Sequence, residues 1–363
     1  MRRLLPWLAA LALVLPLATV PAAAAPAAPA DREVWDTAVF SRVPAPGYPA
    51  YVHAHTNGRV YAGTYVNSGA TGVPSRVFEW SRRGQLLRSW PVPRQVRDGS
   101  HGVQVAQQTR GGRLVVLETS TRTVRTLDVR TGRWRRIARF PDGAVPNYAT
   151  WGPDGALYVT DYHQPVIWRL ARGSRTPRPW FRSSALEGTD FGTTGIRFRP
   201  GRRDLVVSQQ AVLDGSQLPV SGALYSLKVR RSGAPGRLAK LWTSGALELP
   251  DGFGIGRSGH LYVALLGTNQ IVELTARGRE VDRFPDLPLT GENGSAIPFD
   301  TPCSATFLGT RVLVANQSAI AGDADHQAIL AVEVGERGRA PYLPGARGSA
   351  ADPQLSRPPR VPA

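Results

Sequence analysis

Four stretches of this chain open on a small polar residue: His101 in HGVQV, Asn147 in NYATWGPDGALYV, Thr194 in TGIRFRPGRRDLVV and Asp251 in DGFGIGRSGHLYV. The openings lie 46, 47 and 57 residues apart, a spacing typical of repeated supersecondary units rather than of one continuous sheet. Asn147 and Asp251 each stand eight residues before a hairpin glycine, Gly155 and Gly259. Equal spacing sets both side chains at one height on their units, facing each other across whatever the units enclose. A carboxylate and an amide oxygen meeting there, with carbonyls or water, are the hard oxygen ligands that calcium or magnesium takes. His53 and His55 alternate with Val52 and Ala54, so they share one strand face, able to reach the same space or simply hydrogen-bonded within the protein.

Other residues of reactive type read as structure. Pro153-Asp154-Gly155 is a hairpin turn, and Asp323 and Asp325 in GDADH form a surface turn without the rest of a calcium loop. Gly252, Gly254 and Gly256 lack the spacing and the following helix of a nucleotide loop. The chain has neither HExxH nor GxSxG, which removes the commonest zinc-protease and serine-esterase chemistries. Thr194, as a neutral hydroxyl, lines or packs rather than coordinates.

The elements that must position these residues are short strands. The unit opened by Asn147 runs NYATW, the turn GPDG, ALYVTDY, QPVIWRL and RTPRPWFRS, each run rich in β-branched or aromatic residues and bounded by Gly, Pro or Asp. Six inner hairpins follow this grammar, beginning YVHAH, HGVQV, NYATW, TGIRF, DGFGI and CSATF. The expected fold is all-β, a six-bladed β-propeller over residues 31–338, with the unit openings converging on a central channel. Residues 33–43, EVWDTAVFSRV, are expected to pair with Ala328 to Val334 and close the ring, since an open ring would leave unpaired strand edges. SQQAVLDGSQLPVSG reads as a loop over one face. Residues 339–363, rich in Pro, Arg and Ala, read as a disordered tail.

Composition limits the partners. The formal charge of +17 is carried almost wholly by arginine, Lys228 and Lys240 being the only lysines. No nucleic-acid module accompanies that charge, so nucleic acid is not expected as a partner; an anionic cell-surface polymer is the alternative. Arg2 and Arg3, the apolar run Leu4 to Val20 and the alanine-rich stretch Ala22 to Ala30 form a signal peptide over residues 1–30. The mature chain is expected to be secreted, monomeric, without a membrane span, and to act on a small molecule. Cys303 is the only cysteine, so export brings no internal disulfide, and a core position is expected for it.

The stretches PNYATWGPDGALYVTD, TGIRFRPGRRDLVVSQ and LPDGFGIGRSGHLYVA resemble the senescence marker protein / gluconolactonase / luciferin-regenerating enzyme family, and more distantly the paraoxonases and strictosidine-synthase-like propellers. The resemblance runs from about Tyr48 to Asn316 and implies a divalent metal, most simply calcium, held by Asn147 and Asp251. It further implies that the ion polarises a lactone or ester carbonyl, with Asp251 or His101 as the group that takes the proton of the attacking water. Tyr51, His53 and Thr194 are the expected substrate-binding residues. The chain departs from the family at Thr194, where asparagine is usual, and in GYPAYVHAH, where Ala50 or Tyr51 stands in place of a glutamate ligand. Two other functions compete with a metal-assisted hydrolase: a propeller that only binds, its ligand set degenerate, and a streptogramin-type lyase.

Overall fold

The computed structural model describes residues 33–45, 47–66, 72–188, 192–212 and 221–344. The signal segment, most of the long loop in the fourth unit and the chain after Pro344 lie outside the described residues. Among those described, no helix is long and apolar enough to cross a membrane.

The fold is all-β and propeller-like, built from antiparallel strands in four four-stranded sheets and one eight-stranded sheet, the last four-stranded sheet combining three C-terminal strands with the first described strand. The strands that open the units are Tyr48–Ala54, His101–Gln108, Pro146–Trp151, Thr193–Arg199, Pro250–Ile255 and Pro302–Leu308. Each of these lies against the first strand of the next unit, and the sixth lies against the first. The unit openings therefore surround a common axis. Second and third strands such as Leu114–Glu118, Leu157–Asp161 and Val166–Leu170 are almost wholly buried, because neighbouring sheets cover both faces; their near-continuous apolar runs reflect that. The fourth strands, for example Arg133–Arg139 and Glu280–Phe284, are largely exposed and alternate charge with apolar residues.

Four units form separate four-stranded sheets, while the first two merge into one eight-stranded sheet. The joint is the pairing of Tyr65 with Gly102 and of Val66 with His101. Gly102 makes it possible: a Cβ there would lie 2.3 Å from the Tyr65 ring. The expected clasp is present, with Thr37–Arg42 pairing antiparallel to Ala328–Glu333 from Thr37 opposite Val332 to Arg42 opposite Ala328. Residues 339–344, assigned above to the tail, are packed on the hairpin face: the Arg339 amide donates to the Ile255 carbonyl at 2.8 Å, and the Tyr342 ring meets Phe198 at 5.0 Å.

Polar side chains at the ends of second strands hold the unit openings in place. Asp161 Oδ1 accepts the amides of Val145, His163 and Gln164 at 3.1, 3.0 and 3.0 Å, and its Oδ2 accepts the Trp168 indole N–H at 2.8 Å. This fixes the backbone immediately before Pro146 and Asn147. Asn316 does the same in the sixth unit, accepting the amide of Asp300 just before Pro302, while Glu118 accepts the Ser120 amide in the turn that follows its own strand. Asp154 is the turn residue expected of PDG: Oδ1 accepts the Ala156 amide at 3.1 Å, and Gly155 has φ 74°. Cys303 is buried, as expected of a core cysteine.

Candidate active site at the channel entrance

In four units the ladder between first and second strands loses register over two residues near the entrance. The breaks fall between Pro49 and Val52, Pro146 and Ala149, Thr193 and Ile196, and Pro250 and Phe253. The bulged pairs are Ala50-Tyr51, Asn147-Tyr148, Thr194-Gly195 and Asp251-Gly252, and bulges of this kind aim side chains away from the ladder. Asn147, Thr194 and Asp251 are thus equivalent positions. The first unit fills the same position with Ala50, so the glutamate of the resembled family has an alanine in its place.

His101 does not belong to this ring. It pairs with Val66 of the preceding unit, and the register break of its own strand comes later, between Val105 and Gln107. Its Nδ1 lies 2.7 Å from the Gly99 carbonyl and its Nε2 2.7 Å from the Val73 carbonyl. Both ring nitrogens are committed to backbone in a buried position, so the imidazole pins loops and is not free to act as a base. Counting back from the hairpin pairs Gln108–Leu114 and Trp151–Leu157, the counterpart of Asn147 in the second unit is Gln104.

Asp251 is the focus of the entrance. The Tyr51 hydroxyl, reaching over from the first unit, donates to its Oδ1 at 2.5 Å, and Gln210 Nε2 donates to its Oδ2 at 2.9 Å. Gln210 is oriented in turn by the Tyr162 hydroxyl, which donates to its Oε1 at 2.8 Å. Gly252 makes room for this arrangement, since a Cβ there would fall 2.6 Å from the Tyr51 ring. Burial raises the Asp251 carboxyl to about 7, against the opposing pull of its hydrogen bonds from Tyr51 and Gln210. Burial, and the carboxylate it faces, push the Tyr51 phenol well above its ordinary range.

The Tyr51 ring stacks on Tyr148 with centroids 4.0 Å apart, and the Arg197 guanidinium lies 5.1 Å from the Tyr148 ring centroid. Three units therefore contribute one stack beneath the entrance. Thr194 lies on the ring but its hydroxyl is shared with Ser208 at 3.0 Å, in keeping with a lining role. His53 sits deeper, on the level of Gln107, Thr150 and Arg197. Its Nε2 is 3.2 Å from Gln108 Oε1, and burial, then the neighbouring His55, lower its pKa to about 3. It is a neutral imidazole at any ordinary pH.

The second and third units present the unsatisfied side of the entrance. Asn147 Oδ1, the Tyr148 hydroxyl and Gln104 Oε1, and Gln107 Oε1 at the deeper level of His53, are buried without a partner in the protein. Each such atom costs on the order of 1–3 kcal/mol unless something polar meets it. Tyr148, Gln104 and Gln210 carry no motif. Tyr148 reads as a strand aromatic, and Gln210 falls past a strand end, so only the repeated two-residue bulge would have pointed to the first of them.

Calcium takes six to eight oxygens. The entrance offers one carboxylate, whose two oxygens already receive donors, and the open amide oxygen of Asn147; Ala50 adds nothing and the Thr194 hydroxyl is engaged. This donor set does not fit a calcium centre. A different group could hold a metal ion: His260, Glu273 and Glu336 bring three ligand atoms within 4.8 Å of one another at the hairpin end of the fifth unit. There His260 Nδ1 is already 2.5 Å from Glu273 Oε1, and Glu336 accepts from Ser258 and Tyr262.

No family model and no curated protein matches the sequence. Solved structures do match. A protein assigned as a gluconolactonase superposes with a TM-score of 0.58 at 17% identity, over 84% of this chain and 94% of that one. The calcium-binding protein regucalcin from Agrobacterium tumefaciens gives 0.58 at 16% identity, over 82% and 92%. A luciferin-regenerating enzyme gives 0.56 at 14% identity, over 82% and 95%. The sequence resemblance and the structural likeness point the same way, and the chain has the propeller fold that gluconolactonase, regucalcin and luciferin-regenerating enzyme structures share.

Proposed function

We propose that the protein is a secreted hydrolase of lactones or related esters, acting at the channel entrance of a six-bladed propeller. In this reading the eight-stranded sheet counts as two blades joined by the short pairing at Tyr65–Gly102. One observation carries the proposal: a single buried carboxylate, Asp251, poised near 7 on the axis of a fold shared with lactonase-like structures. A general base works best when its pKa lies near the working pH.

Above about pH 7 the Asp251 carboxylate takes a proton from water as the water oxygen bonds to the lactone carbonyl carbon. The ring C–O bond then breaks, and the same proton passes from Asp251 to the departing alkoxide. Tyr51 and Gln210 hold the carboxylate in a fixed orientation. The Tyr148 hydroxyl and the Asn147 side chain, both with hydrogen-bonding capacity to spare, are placed to meet the polar atoms of the substrate. Asn147 and Asp251 remain the two side chains a divalent ion would find at the entrance; with so few donors we assign the ion no step.

The test is hydrolysis of a panel of γ- and δ-lactones and aryl esters from pH 5 to 9, with and without chelator. Activity is expected to rise through an apparent pKa near 7, to survive chelation and to be lost in Asp251→Asn. Full activity in that variant removes Asp251 from the chemistry. A panel with no turnover at all favours a propeller that binds only.

A further inference from the structure

A cleft of about 750 Å³ lies on the hairpin face, remote from the unit openings, between the second and third units. Its walls carry the side chains of Arg110, Arg135, Arg172 and Arg175; Arg136, next on the strand, lies opposite Arg125 on the other face of the sheet. All four are exposed, and among the described residues the last three form no ion pair. The one acid in the lining, Asp154, is already paired with Arg169 at 2.7 Å and accepts from the Tyr158 hydroxyl. Guanidinium groups gathered around one concavity repel each other, and an anion relieves that repulsion while accepting charge-assisted hydrogen bonds.

Trp151 lies in the same lining, half-buried, its indole N–H tied to the Gln108 carbonyl at 2.8 Å. The ring is thus held as a fixed apolar part of the cleft wall. The volume falls within the range of small-molecule sites. A ligand that matches both features carries negative charge on a compact ring whose face can rest against an indole.

We propose that this cleft binds an anionic saccharide, through the arginines to its charge and through Trp151 to its ring. The site is separate from the channel entrance and does not depend on the reaction proposed there. Calorimetric titration of the full chain with glucose 6-phosphate and with glucuronate asks which anion is taken, with glucose and inorganic phosphate as the neutral and ring-free controls. At least one anionic sugar should bind, more tightly than either control. Binding should weaken about tenfold or more in Arg135→Ser/Arg172→Ser/Arg175→Ser, since each lost charged hydrogen bond is worth about one decade or better. Arg230→Ser/Arg231→Ser/Arg277→Ser removes the same charge from exposed positions elsewhere and should leave affinity within about twofold. All six side chains are exposed, so both variants should fold, which melting temperature verifies. Failure of both sugars to bind, or equal loss in the two variants, overturns the site; inorganic phosphate binding as tightly as the sugars overturns the role of Trp151.

Discussion

Replacing Asp251 by asparagine should change how stability depends on pH, and the structure sets the size of the effect. An aspartate in an unfolded chain titrates near 3.9, whereas burial holds Asp251 at about 7 in the folded protein. Between those values the native state binds more protons than the unfolded state, so stability falls as pH rises. The contribution is fully present below about pH 4 and is lost above about pH 7. Three units at about 1.36 kcal/mol each give a ceiling of roughly 4 kcal/mol. Asparagine keeps the shape but not the titration. Urea denaturation of both proteins at pH 4, 5, 6, 7 and 8 measures the difference, in which titrations common to both cancel. The difference should move toward the variant by up to about 4 kcal/mol between pH 4 and 8. A difference that stays flat within about 0.5 kcal/mol, the usual margin for independent sites, would refute an Asp251 that titrates near neutrality, and with it the expected rise of hydrolysis through that pH.

The entrance also predicts what restores a metal site: Ala50→Glu adds a second carboxylate on the ring of Asn147 and Asp251, so calcium should raise its melting temperature, by about 2.7 kcal/mol of stability at a hundredfold excess over Kd, while wild type shows no such shift. Gly252→Ala puts a methyl group 2.6 Å from the Tyr51 ring and 2.9 Å from the Cys303 carbonyl; denaturation should show a loss of about 1–3 kcal/mol, and activity should fall with it as Tyr51 leaves Asp251. Arg199→Met strips the buried Asp204 of its two 2.8 Å guanidinium hydrogen bonds, and the unfolding midpoint should report a cost of about 3–5 kcal/mol.

Much of the architecture was legible because its signals are local. Asp154-Gly155 announces a tight turn, strands such as LYVTD announce two covered faces, and the recurrence of the unit announces a ring. The equivalence of Asn147 and Asp251 was legible too, from their distance to a hairpin glycine, whereas Thr194 was grouped with them only by the repeated opening. His101 misled because a dipeptide pattern says nothing about register: it stands three residues before the equivalent position, Gln104, and so pairs with the neighbouring sheet, where carbonyls take both nitrogens. The contacts that give Asp251 its properties were out of reach. Tyr51 lies two hundred residues away in the chain and meets the carboxylate only because Gly252 has no side chain. Gln210 lies just past a strand end, where no periodicity marks it.

The clasp between Thr37–Arg42 and Ala328–Glu333 also dictates an order of events. Nearly the whole chain must be made before the first strand can find its partner, so this is the slowest loop to close and the last sheet to be completed. Until then the sixth unit presents a bare edge able to accept a strand from another molecule. The two ends of the folded ring are held side by side, which makes the chain a natural candidate for circular permutation: joined there and opened at an exposed hairpin, it would begin and end inside one unit with every ladder intact. A synthetic peptide spanning residues 33–43, added to a chain lacking them, would then be expected to complete the sixth sheet in trans.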